Sequence, residues 1–408
     1  MKKSIYIFII LLIGSNLMYL KFLPSLQYGS NESLMVLLAV CIIGLFCYRK
    51  DPEFTANPVV QRYTRFIGYI LFSVVLSMVT CGIFWHQTLS QSLITHRGLS
   101  AFLLYFTLIG IKPTEKEIID GFKYFTYLFA VVAVCIWVFN IRMTRIEFDK
   151  NAETSMNNAI PGTIFLLFYF YILLGKLSKE FTWKDLIIVS LIQVYFVLNQ
   201  NRSLLFVCIL FFIYTMFFRA KTGKVAKAVI IAIIVFLLSS YWFMFQGLID
   251  ETQQQADTKE YVRWEMMDFC LHKMSPNIWC DLFGNGIISK HTNPALWHML
   301  MRRCWNFNDV GWFGYYAFFG LLGIAAMANL ILRFIFSRNS SADVRMMSIH
   351  FIVPTIWAFW QSDAIVLFCL VAYIYIYRYA EKEEIKASDN DNEIESEKIL
   401  TCRVSNNI

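Results

Sequence analysis

Long apolar runs separated by short polar breaks dominate this chain. The runs cover 4–20, 33–48, 66–84, 93–111, 122–139, 160–177, 185–199, 203–218, 228–245, 310–336, 346–361 and 364–379. A membrane-spanning helix needs about 20 mostly apolar residues, so the pattern predicts roughly twelve spans. Only Gln200, Asn201 and Arg202 separate the seventh from the eighth, which predicts a tight helical hairpin. Met1-Lys2-Lys3 followed by Ser4 to Leu20 has the basic start and apolar stretch of a secretory signal. It lacks a small-x-small cleavage site and further runs follow, so it is expected to be an uncleaved first span. No internal repeat is visible.

The single long connection, 246–309, carries helical patterns of its own. Between Tyr261 and Met274 the apolar residues Trp264, Met267, Leu271 and Met274 recur at spacings of three and four, an amphipathic period. Asn293-Pro294 is an N-cap followed by Pro at the first helical position. The helix it opens, Ala295 to Trp305, sets His298, Arg302 and Trp305 on one face and Arg303 on the next. Two readings stay open. The helices lie on a membrane surface with their cations at headgroup phosphates, or the loop is functional, as long structured connections often are. Gly284-Asn285-Gly286 reads as a tight turn, since it lacks the strand–helix context of a nucleotide fingerprint. The expected fold is an all-α polytopic membrane protein, with helices over 1–245, a large periplasmic loop over 246–309, further helices over 310–380 and an acidic, disordered tail over 381–408.

Composition supports that class. The 408 residues are 58% hydrophobic and 16% charged, with mean hydropathy +0.53, whereas soluble domains are nearer half apolar and a quarter charged. The heavy load of Phe, Tyr and Trp fits rings anchoring helices at headgroups. The net charge of +7 comes from Lys and Arg scattered between apolar runs, so it does not point to nucleic acid. Placing the N-terminus inside puts Lys2, Lys3, Arg49, Lys50, Arg62, Arg65 and most later basic residues on the inner side, and leaves few on the short outer loops. The positive-inside bias therefore predicts cytoplasmic termini and an outer long loop. Most of the ten Cys fall inside apolar runs; only Cys270, Cys280 and Cys304 lie in that loop, and free thiols are expected.

Against this background a few residues stand out. Arg97 is the one Arg or Lys well inside a run; such a charge either faces a cavity or snorkels to the nearby interface. Arg202 occupies the short outer turn. With Arg142, Arg145, Arg302 and Arg303 it makes an outer set of guanidiniums, and guanidinium binds phosphate bidentately. An anionic, lipid-linked substrate such as a pyrophosphate would match them. Asp309 sits at the mouth of the 310–336 run, as a helix cap or as a base.

The chain resembles the superfamily of O-antigen polymerases and O-antigen ligases. The resemblance rests on the many spans with one late periplasmic loop, on Gln200-Asn201-Arg202-Ser203-Leu204-Leu205, and on Gly284-x-Gly286 followed by Asn308-Asp309-Val310-Gly311 and Phe319-Gly320-Leu321-Leu322-Gly323. Ligases of this group carry His-Asn where this chain has Asp309-Val310, which favours a polymerase. The resemblance implies a metal-independent glycosyltransferase of the bacterial inner membrane. It would act in O-antigen, capsule or exopolysaccharide synthesis on undecaprenyl-pyrophosphate-linked oligosaccharide, without cofactor, beside membrane lipid, a flippase and a chain-length regulator. The pyrophosphate would be held by Arg202, Arg97 and one of Arg302 and Arg303, with Arg142 and Arg145 nearby. Asp309 would be the base, with His298 and His291 behind it. A ligase or a flippase of the same lipid-linked glycan is the alternative.

Overall fold

The structure, a computed structural model, describes residues 2–15, 17, 30–48, 51–138, 160, 162–198, 202–257, 262–303, 305–353 and 357–405; within these it leaves out the side chains of 30–32, 137, 198, 202–203, 241, 243–245, 247–257, 262 and 386–405. The regular elements are helices: α1 (Lys3–Gly14), α2 (Ser30–Cys47), α3 (Pro52–Ala56), α4 (Pro58–Trp85), α5 (Leu89–Thr95), α6 (Leu103–Ile111), α7 (Glu115–Val138), α8 (Thr163–Leu177), α9 (Trp183–Leu198), α10 (Arg202–Tyr214), α11 (Lys224–Asp257), α12 (Val262–Asp268), α13 (Ile278–Phe283), α14 (Pro294–Arg302), α15 (Trp312–Phe336), α16 (Ala342–Ile352) and α17 (Ser362–Ser405).

Local chemistry sets their starts. Asn57 accepts a hydrogen bond from the Val59 N–H with Pro58 at the first position of α4, and Thr88 and Gln91 form a reciprocal capping box on α5, each satisfying amides that a helix start leaves without partners. Asn293 caps α14 in the same way, accepting from Leu296 N–H.

Among the described residues four helical stretches are long and apolar enough to cross a membrane: Pro58–Trp85, Glu115–Ile136, Trp312–Phe336 and Ser362–Ile385. A fifth is formed if Leu89–Thr95 and Arg97–Ile111, bent by 61°, count as one span. These helices mark a membrane-embedded, all-helical protein. Among the described residues the expected count of twelve is not reached. Among the described residues several apolar runs hold apolar helices shorter than 18 residues, including Lys3–Gly14 and Thr163–Leu177. The 346–361 run contains α16, which ends at Ile352. Hydropathy registers burial against protein as readily as exposure to lipid. The tail also departs from expectation, because α17 continues to Ser405; no Gly or Pro interrupts that stretch, and those are the residues that most strongly break helices.

Helix α17 is the axis of the packing. From Ala364 to Ile376 every residue is buried, against α4, α6, α8, α16 and the 3₁₀ turn Arg97–Phe102. Around it α1 packs on α7, α4 on α15, and α16 on α8 and α15. One end of the bundle is tied by charge. Arg378 of α17 pairs with Glu115 at 2.6 Å and with Asp343 at 2.8 Å, joining the starts of α7 and α16. Lys3 donates to the carbonyls of Ile111 and Lys112 at the end of α6. Lys112 also reaches Asp51 at 3.1 Å and lies over the Phe54 ring. The Phe54 N–H and then the Lys112 ammonium hold the Asp51 carboxyl below its usual range. The opposite end is built from turns and the 262–310 segment, and carries the candidate site.

Candidate functional site

At that end two broken helices and one loop interlock. Helix α15 is interrupted at Gly320, whose backbone takes φ +66° and ψ −171°. The interruption frees the carbonyls of Ala317 and Phe318 from their intrahelical partners, and the N–H groups of Asn285 and Gly286 occupy them at 3.1 and 2.8 Å. The fit leaves no room for side chains on either backbone. A Cβ on Gly320 would lie 2.4 Å from Gly284 N, and one on Gly284 would lie 2.1 Å from Phe318 O. Gly284 also has positive φ, a conformation Gly adopts without steric cost. The expected tight turn is not formed: residues 284–289 make no regular turn, and the segment is instead seated in the break of a helix.

Between the glycines Asn285 is fully buried. Its Oδ1 accepts from Trp85 Nε1, and its Nδ2 donates to Ser275 Oγ and to the Ala317 carbonyl. Thr80 Oγ1 donates to the Gly284 carbonyl. The next residues are held by the bent pair. Ile287 N–H donates to His96 Nε2 at 3.1 Å, while His96 Nδ1 lies 2.8 Å from the Ser92 carbonyl. A carbonyl only accepts, so Nδ1 carries the proton and His96 is the neutral tautomer with both nitrogens committed. Gln87 bridges the same strip, accepting from Ser289 N–H and donating to the Ile287 carbonyl. From the other side Trp297 Nε1 donates to the Ile288 carbonyl, which fixes α14.

These elements enclose a cleft of about 240 Å³. Its walls are aromatic, from Trp297, Phe307, Phe318 and Trp360, and its polar groups are the amides of Asn306, Asn308 and Gln361. Phe318 meets Phe307 at 4.6 Å and Trp360 at 5.1 Å, the latter edge-on. The side-chain amides of Asn308 and Gln361 make no hydrogen bond among the described residues, so they remain able to bind a solute. No ionised side chain lines the cleft.

None of the described site residues singled out from sequence lines this cleft. Asp309 lies on the 3₁₀ turn Phe307–Val310, exposed and adjacent to Asn308. It does not cap α15; Gly311 holds that position, with no side-chain cap. His291, His298 and Arg302 are exposed on or just before α14. Arg303 pairs with Glu265 at 3.6 Å and stacks over Trp305 at 4.8 Å. Arg97 is exposed at the bend, donating to the Ile94 carbonyl. Arg202 opens α10, but its side chain lies outside the described residues, as do Arg142 and Arg145 entirely.

Two expected helical faces are corrected. Helix α14 stops at Arg302, so Trp305 does not continue the face of His298 and Arg302; it turns inward against Phe269 at 5.3 Å. In the 262–274 segment the buried stripe is Met266, Phe269, Cys270 and Met274, while Trp264 is 68% exposed. The buried stripe keeps helical spacing but lies on a face offset from the expected one, beginning within α12 ahead of the π-helical turn over Phe269–Lys273.

Cys270 and Cys280 are buried free thiols, and Cys304 lies outside the described residues. Among the described residues no group of three His, Cys, Asp or Glu could hold a metal ion. No family model, curated protein or solved structure matches the chain. Sequence reasoning did not single out Asn285, Gln87, His96, Trp360 or Gln361. The one signal for them was an amide flanked by two glycines, a spacing that allows a buried side chain between close backbone approaches.

Proposed function

We propose that the protein is a polymerase of lipid-linked oligosaccharide repeat units at the periplasmic face of a bacterial inner membrane. The observation that carries this reading is the chemistry of the cleft. Aromatic walls with unengaged amides and no ionised group suit the faces and hydroxyls of a neutral sugar, because rings pack on the apolar C–H face and amides both donate and accept. The resemblance in sequence supplies the substrate class, a glycan on undecaprenyl pyrophosphate.

In the proposed reaction an acceptor hydroxyl oxygen attacks the anomeric carbon of the donor glycan. The new C–O bond forms as the bond to pyrophosphate breaks, and its electron pair leaves on the pyrophosphate. The hydroxyl proton passes to a base, for which Asp309 is first choice and His298 and His291 follow. Arg202, Arg97 and Arg302 hold the departing charge. Arg302 is preferred to Arg303 because Arg303 is already engaged by Glu265 and Trp305.

Deletion of the gene, followed by gel analysis of surface glycan, tests the reading. A single repeat unit in place of a ladder is the expected result. Polymer that forms but remains unattached would assign a ligase instead, and precursor accumulating on the cytoplasmic side would assign a flippase.

A further inference from the structure

At the charged end of the bundle, remote from the aromatic cleft, the start of α4 meets the end of α15 and a turn of α17. An open cleft of about 420 Å³ lies between them. Its cations are Arg62 and Arg333, its neutral polar groups include Asn329, Ser337 and Tyr379, and no carboxylate lines it. Arg62 is exposed and has no hydrogen bond or ion pair among the described residues. Arg333 is held in place: its guanidinium lies over the Phe66 ring at 4.4 Å, and Nε donates to Asn329 Oδ1 at 3.1 Å. That arrangement orients the guanidinium while leaving its two terminal nitrogens for a ligand. Two guanidiniums, one of them oriented, with a hydroxyl and no acid form a receptor for a phosphate group.

The rim indicates where the phosphate comes from. Phe336 is 77% exposed and Tyr69 58% exposed, and Leu332 is exposed beside them. A soluble anion gains nothing from such a rim, whereas a phospholipid presents its phosphate and its acyl chains together. The helices that form the cleft, α4 and α15, are themselves long and apolar enough to span a membrane, so their ends fall at headgroup level. Basic pockets between membrane helices are the usual seats of anionic headgroups. We infer that this cleft binds the headgroup of an anionic phospholipid, with the phosphate held between Arg62 and Arg333. The inference is independent of the proposed polymerase activity.

Titration of the purified full chain, in neutral detergent, with phosphatidylglycerol and separately with phosphatidylcholine tests it, with bound lipid counted by native mass spectrometry. The wild type should favour phosphatidylglycerol by roughly tenfold or more. R62Q/R333Q should lose that preference while binding phosphatidylcholine as before, and K227Q, remote from the cleft, should keep it. R62K/R333K should fall between, because Lys supplies charge without the fork; this order gives a readout even if the Gln variant folds poorly. Equal binding of the two lipids by the wild type would overturn the inference, as would a preference that survives in R62Q/R333Q. Displacement of phosphatidylglycerol by excess inorganic phosphate would also overturn it and assign the cleft to a free anion.

Discussion

Asp309 and Asn285 lie on the same side of the molecule and carry opposite kinds of expectation. Asp309 is exposed and does not cap α15, so Asp309→Asn costs that helix no cap and keeps the shape of the side chain while removing a proton acceptor. If Asp309 is the base, polymer yield per inserted protein should fall by about 10²- to 10⁴-fold. Near-normal yield in membranes supplied with lipid-linked repeat units would move the role to His298. Asn285 is buried with three side-chain hydrogen bonds. Its replacement by Ala leaves the Trp85 N–H and the Ser275 hydroxyl short of a partner, at a cost of about 1–3 kcal/mol. A lowered thermal midpoint in detergent is the expected result, and an unchanged one would refute the interlock. Asp309 stood out in the sequence because a carboxylate at the mouth of an apolar run is conspicuous. Asn285 did not, because its importance comes from partners on α4 and α15 that are remote in sequence.

The central device is a helix broken to receive a loop. Sequence patterning located α4, α7, α15 and α17 well, since each is a long run of apolar residues. It did not reveal that α15 is broken at Gly320, because a glycine within a Gly-rich apolar helix is compatible with continuity. The 61° bend at His96 was hidden in the same way inside one apolar run. Gly320→Ala tests the device directly. Its Cβ would clash with Gly284 N and Leu282 O, and the positive φ is strained for Ala, at about 1–3 kcal/mol. The loop should leave the break and carry α13 with it. Cys280 of α13 reports this, because burial, followed by the charge of Asp281, pushes its thiol up to about 11. Below that value the thiol stays protonated and slow to react. Release into water returns it toward about 8.5, so maleimide labelling near neutral pH should rise on the order of a hundredfold. Site-resolved mass spectrometry would read the rate, with Cys208 and Cys369, both fully buried in the bundle, staying protected. Protection of Cys280 in the variant would show that the loop does not depend on the break.

The two ends of the bundle differ in kind, and the difference fixes how the protein should sit in its membrane. Helix α4 connects them, running from Arg62 at the charged end to Trp85 beside Asn285, a distance of about 35 Å at 1.5 Å per residue. That spans the roughly 30 Å hydrocarbon core. Lys3, Lys112 and Arg378 gather at the first end with Asp51, Glu115 and Asp343, while Arg97, His298 and Arg302 belong to the second. The turn after α8 also lies at the charged end, because Gly175 packs against Asp343. The positive-inside bias then predicts that the charged end is cytoplasmic. Cysteines introduced at Lys179 and at His298, both away from the core, should therefore behave oppositely towards a membrane-impermeant maleimide. The one at 298 should label in cells whose outer membrane alone is permeabilised, and the one at 179 only after the inner membrane is opened. The reverse pattern would place the aromatic cleft on the cytoplasmic side, where a polymerase of exported repeat units has no substrate, and would sink the functional proposal while leaving the fold intact.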